Sequence, residues 1–179
     1  MTAAFSPPWW AVALAVVLVL LFASHARLYY TGGGASLLQA SVDTVTSELL
    51  AERRPIVIED RVVNPADLVA TVFRWQYAWR SGVEPCRLDA FETCRARFTL
   101  LFFLEGDDST VVIKAPTGTN TNTNTNTNTD TYTDIAVRLA AGRTLVLPPM
   151  WRYLPLSVGA RRIRLHDPVS LLLQPSVRA

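Results

Sequence analysis

From Trp9 to Ala23 the chain reads WWAVALAVVLVLLFA, fifteen apolar residues without a charge, preceded by Pro7 and Pro8. A helix built from this run has no polar face, so it cannot lie on the surface of a water-soluble domain and must be covered by lipid or protein. A secretory signal would carry basic residues before the run and a small-x-small cleavage site after it, and no Lys or Arg precedes Trp9. The run falls short of the roughly 20 residues that span a bilayer. Ala3–Phe5 and Ser24–Tyr30 can extend it, with Trp9, Trp10, Tyr29 and Tyr30 at the two interfaces. The expectation is a single-pass transmembrane anchor over residues 1–28, with Trp9, Trp10, Leu14, Leu18 and Phe22 against lipid. A cleaved signal and a buried core helix are the alternatives. Arg27, Arg53 and Arg54 all follow the run and nothing basic precedes it, which places the bulk of the chain on the cytoplasmic side.

TGGGAS closes a Gly-rich linker, residues 29–36, and a folded domain is expected over 37–179. With 179 residues and 50% hydrophobic content there is material for one ordinary core. The formal charge is +2, the arginines are scattered among acids, and Lys114 is the only lysine. That balance gives no concentrated basic face and excludes nucleic acid as the main partner. Cys86 and Cys94 stand eight apart in CRLDAFETC, without the spacing or His partners of a zinc site. They are read as two free thiols, with a single loop-closing disulfide as the alternative. No N-x-[ST] sequon occurs.

Val42, Val45 and Leu49 recur at helical spacing, and RPIVIED (Arg54–Asp60) is a compact apolar run suited to a buried strand. NPADLVATVFRWQYAW has Asn64 as N-cap, Pro65 at the first helical position and Asp67 at the third, which predicts a helix. From Arg95 the pattern turns to strands: RARFTLLFFLE and STVVIKA around a GDD turn, then DIAVRLAAG, TLVLPP, RYLPLSV, RRIRLHD and VSLLLQP. Many short strands punctuated by Gly and Pro predict a mainly β fold, a small antiparallel barrel or jelly roll with one or two helices. The low-complexity Thr/Asn stretch over 117–134 has no apolar face to bury and reads as a long polar loop; an ordered ladder binding ice or carbohydrate is the sharper alternative.

Catalytic signatures are sparse. Asp107 and Asp108 read as solvated acids of a hairpin turn. His166 with Asp167 has no Ser or Cys in a nucleophile motif and reads as a strand-end histidine. No P-loop or dinucleotide fingerprint is present. Phe73, Trp75, Tyr77 and Trp79 form an aromatic cluster suited to core packing or to a partner-facing patch.

GRTLVLPPMWRYLP, residues Gly142–Pro155, has the layout of a metal-site corner: Gly142, then Pro148 and Pro149, then Trp151 and Tyr153. It resembles the second motif of the cupin superfamily and of the cupin-like domains related to JmjC oxygenases, where a strand ends in a P-x-G-W-x-H-like corner. RRPIVIED is similar to the strand that opens many such domains, and the resemblance covers about Arg54–Leu173. It implies a cupin-like β-domain. The departure matters more, because Tyr153 stands where the family places its metal-binding histidine and Met150 where it has glycine. The H-x-H or H-x-D pair of the first motif has no counterpart, and His25 and His166 are the chain's two histidines. The expectation is therefore a degenerate corner with no metal, no cofactor and no catalytic residue.

The whole layout, a hydrophobic N-terminus, then LLQASVDTVTSELLAERRPIVIEDRVVNPADLVATVFRWQY, then LPPMWRY, resembles cupin-like proteins of nucleocytoplasmic large DNA viruses. That implies a minor capsid or internal-membrane-associated structural protein of the virion, its partners the lipid bilayer and other capsid proteins. The alternative is a membrane-bound cupin-like enzyme or carbohydrate-binding module using the barrel mouth, with Tyr153, Trp151, Arg152 and Glu105 as polar contacts. The two differ in the interior: large apolar side chains filling it favour the structural role, an open pocket with converging polar groups the other.

Overall fold

The computed structural model of the protein describes residues 8–30, 34–104, 109–116 and 134–173. The Thr/Asn stretch apart from Asp134, together with Glu105, Asp107 and Asp108, lies outside them. The described residues 8–30 belong to a unit of their own, Met1–Thr31. Helix α1 occupies Trp9–Tyr30, and Trp9, Trp10, Leu14, Leu18 and Phe22 are all exposed. Among the described residues no helix is long and apolar enough to cross a membrane. The expected transmembrane helix is corrected to that extent: its unbroken apolar stretch, Trp9–Ala23, rises about 22 Å at 1.5 Å per residue, against about 30 Å of hydrocarbon.

The second unit, residues 32–179, is mainly β. In chain order it has β1 (Leu38–Ala40), a 3-10 turn (Val42–Thr44), α2 (Ser47–Ala51), β2 (Ile56–Ile58) and α3 (Pro65–Val72). Three two-residue strands follow, β3 (Trp79–Arg80), β4 (Glu84–Pro85) and β5 (Glu92–Thr93). The longer ones are β6 (Phe98–Phe103), β7 (Ser109–Lys114), β8 (Asp134–Leu139), β9 (Thr144–Leu147), β10 (Arg152–Pro155) and β11 (Ala160–His166), and α4 (Pro168–Leu173) closes the described chain. One sheet has the order β1-β2-β9-β6-β11-β3, with β4 also on β11, and the other β5-β10-β7-β8. All pairs are antiparallel except β1 with β2. Among the described residues no closed barrel forms: the two sheets keep separate hydrogen-bonded edges, so the expected barrel is corrected to two open sheets.

Two cores explain the residue pattern. Val57, Leu101, Phe103, Leu145 and Leu147 of the larger sheet meet Val111, Ile113, Val137, Leu139, Trp151 and Tyr153 of the smaller one. On the opposite face of the larger sheet, Ile56, Ile58, Leu100, Phe102, Val146, Ile163 and Leu165 pack with Leu50 of α2 and with Leu68, Val69 and Phe73 in and after α3. A sheet covered on both faces needs continuous apolar runs, hence IVI, FTLLFF and TLVL. The smaller sheet is covered on one face, and β7 alternates between buried and half-buried residues.

The helices follow their caps. Asn64 accepts a hydrogen bond from the Ala66 amide at 3.1 Å and Pro65 fills the first turn, but α3 stops at Val72, well before the end of the predicted stretch. VSLLLQP, read as a strand, begins as helix α4. Asp167 and Ser170 form a reciprocal cap, Ser170 N–H donating to Asp167 Oδ1 at 2.7 Å and the Asp167 amide to Ser170 Oγ at 3.0 Å.

Candidate functional site

Two turns shape the run from Gly142 to Tyr153, one before β9 and one between β9 and β10. Gly142 has φ +85°, and a Cβ there would come within 2.5 Å of Arg61 Cγ, so only glycine fits the turn between β8 and β9. Its amide donates to Phe103 O at 2.9 Å and its carbonyl accepts from the Val62 amide at 2.8 Å. Pro148 is buried and Pro149 half-buried. Met150 adopts φ +69°, a left-handed conformation that a side chain tolerates at a cost of about 1–2 kcal/mol. The corner is pinned to the residues after β5, with Met150 N donating to Cys94 O at 2.8 Å and Cys94 N to Trp151 O at 2.7 Å.

Alternation along β10 then sends Trp151 and Tyr153 inward, 0% and 1% exposed, and Arg152 outward. The proposed grouping of Arg152 with Tyr153 is therefore corrected: Arg152 lies on the outer face, its guanidinium 5.6 Å from the Phe91 ring. The same period operates in β11, RRIRLH, where Arg162 and Arg164 fall on the face of Ala160, opposite Ile163 and Leu165. Across the larger sheet one inward row reads Arg162, Leu101, Leu145, Val57. Across the smaller sheet the facing row reads Glu92, Tyr153, Ile113, Ile135. Both rows pass from polar to apolar in the same direction.

Where their polar ends face each other, Arg162 ties the sheets together. Its Nη1 donates to Glu92 Oε2 at 2.7 Å and to Tyr153 Oη at 2.9 Å, and its Nε to Glu84 Oε2 at 3.3 Å. Arg164 Nη2 donates to both Glu84 oxygens, at 3.0 and 2.9 Å. Two arginines and two carboxylates balance in charge. Burial acts to raise the Glu84 pKa, but hydrogen bonding and charge from Arg164 and then Arg162 outweigh it and hold it below the usual value. Burial opposes the charge on Arg162 too, yet Tyr153 and Glu92 raise its pKa overall.

Burial pushes the Tyr153 phenol and the Cys86 and Cys94 thiols upward, so all three stay protonated near neutral pH. Both cysteines are free thiols. A protonated phenol held by an arginine is a hydrogen-bonding strut, and a protonated buried thiol is a small apolar filler. Among the described residues no group of His, Cys, Asp and Glu converges as a metal ligand set. His166 is buried at the end of β11, its Nδ1 3.4 Å from Ser170 Oγ and its ring 5.2 Å from that of Trp79. Asp167 turns to Arg97 at 3.0 Å.

Sequence reasoning placed Tyr153 and Trp151 in the site and missed Arg162, Arg164, Glu84 and Glu92. The period-2 pattern of RRIRLH carried the arginines, but the two-residue strands β4 and β5 gave no pattern to read. No family model, curated protein or solved structure matches this chain.

Proposed function

We propose that the protein is a non-enzymatic tether, held to a lipid bilayer by α1 and presenting its β-domain to other proteins on the cytoplasmic side. The observation that carries this reading is the large apolar side chains packed between the two sheets. Trp151, Tyr153, Phe103, Leu101, Leu145 and Ile113 pack between the sheets where a ligand-binding domain of this build would keep space. Arg162 is spent on Glu92, Tyr153 and Glu84. The order β5-β10-β7-β8 together with β4-β11-β6-β9 supports a jelly-roll ancestry of the cupin-like kind, with Tyr153 and Glu92 side by side on β10 and β5. Helix α1 supports the lipid attachment, since no polar face interrupts Trp9–Ala23. The resemblance to proteins of large DNA viruses makes the partner a capsid protein, at the interface between internal membrane and shell.

Protease added to sealed vesicles bearing the full chain tests the orientation. Cleavage within 117–134 without detergent is the expected result. Protection until detergent is added places the domain in the lumen and overturns the reading. Cross-linking in native membranes or particles should then capture a shell protein, and recovery of the protein with no protein partner counts against the tether.

A further inference from the structure

The aromatic stretch FRWQYAW divides in the fold. Phe73 is buried, its ring 5.4 Å from that of Phe98, and Tyr77 packs half-buried on the same core. Trp75 and Trp79 point outward, 84% and 52% exposed. Two outward indoles within five residues are not core packing. Exposed Arg74 and Arg80 accompany them, and the Arg74 guanidinium stands 5.1 Å over the Trp75 ring. Indole and guanidinium side by side suit the headgroup layer of a bilayer, where a ring can sit at the boundary and the cation can meet phosphate or carboxylate.

The patch has a definite place in the β-domain. β11 runs antiparallel to β1 across the larger sheet, through the row Leu38, Ile56, Val146, Leu100, Ile163. Its last residue, His166, and the Trp79 paired with it therefore lie at the end of the sheet where β1 begins. Three residues, 31–33, separate Tyr30 from Gly34, at most about 14 Å of chain. The chain between the end of α1 and the start of the domain is therefore short.

We infer that Trp75 and Trp79, with Arg74 and Arg80, form a second membrane contact that rests on an anionic lipid surface. The inference rests on the reading of α1 as lipid-embedded, and one experiment separates the two. The full chain carrying Trp9→Phe and Trp10→Phe keeps Trp75, Trp79 and Trp151 as its tryptophans, and Trp151 is fully buried. In phosphatidylcholine–phosphatidylserine vesicles with brominated acyl chains, its emission should be partly quenched and blue-shifted. Adding Trp75→Phe and Trp79→Phe should abolish that quenching. A chain that floats with the vesicles and shows no quenching overturns the second contact and leaves α1 untouched. A native chain that does not float overturns the lipid reading of α1, and this inference with it. Should the Trp9→Phe/Trp10→Phe chain alone fail to float, the native chain and its Trp75→Phe/Trp79→Phe variant carry the same comparison. Equal quenching in phosphatidylcholine alone overturns the anionic preference.

Discussion

The interior has two flanks built from the same pair of sheets. One is closed by Val57, Leu145, Val137 and Leu139, and the other, where β4 and β11 face β5 and β10, holds Arg162, Arg164, Glu84, Glu92 and the Tyr153 hydroxyl. The first draws its stability from area removed from water and is sensitive to shape. The second is sensitive to completeness, because a lone charge left there keeps its desolvation cost and loses its partner. The difference teaches that one core can respond to mutation by two unrelated rules a few strands apart.

Removing the largest apolar filler between the sheets should have the largest effect. Trp151→Ala is expected to cost about 3–5 kcal/mol, read as a lower urea midpoint at an unchanged slope. Trp151→Phe should cost far less, since the indole Nε1 has no hydrogen-bond partner among the described residues.

On the charged flank, Arg162→Met should cost about 1–3 kcal/mol, reduced from the fully buried case because Glu84 and Glu92 keep about a third of their side-chain surface in water. Arg162→Met combined with Glu84→Gln and Glu92→Gln should recover most of that loss. A triple variant no more stable than the single one would mean that Arg162 acts mainly by packing.

Acid sharpens the comparison by touching one flank alone. His166 has its pKa lowered from 6.5, first by burial and then by Arg164, so the unfolded chain takes up a proton before the folded one does. Stability should begin to fall as pH drops below about 6.5. Glu84, lowered from 4.5, adds stability that is present above its unfolded value and lost as pH falls through the folded one, giving a second decline in more acid solution. Urea midpoints against pH should show both declines, with Glu84→Gln removing the second.

The smallest effects belong to the outer face of the smaller sheet. Lys114 stands 4.3 Å over the Phe91 ring and 3.0 Å from Asp134. Lys114→Ala should change stability by about 0.5–1 kcal/mol or less, a value that screening by salt reduces further.

Most of the β architecture was legible because its strands are either continuously apolar or strictly alternating: FTLLFF, STVVIK and TLVL need no context to be read. The corner was legible because Gly142 and the two prolines leave the backbone few options. What could not be read depends on distance in the chain. Arg162 meets Glu84 and Glu92 across 78 and 70 residues, and no local pattern reports such pairs. VSLLLQP misled because its apolar run fits a strand as well as a short helix, while the deciding cap pairs Asp167, just before the run, with Ser170 inside it. The exposed Trp75 was hidden by the buried Phe73 two residues earlier, since α3 ends at Val72 and helical spacing no longer applies.

The parallel pair β1 and β2 has a mechanical meaning. A load applied through the N-terminal segment arrives at Leu38 and is directed along β1, so the ladder with Ile56–Ile58 carries it in shear, its hydrogen bonds strained together and not one after another. β2 passes that load to β9 and so to the middle of the sheet.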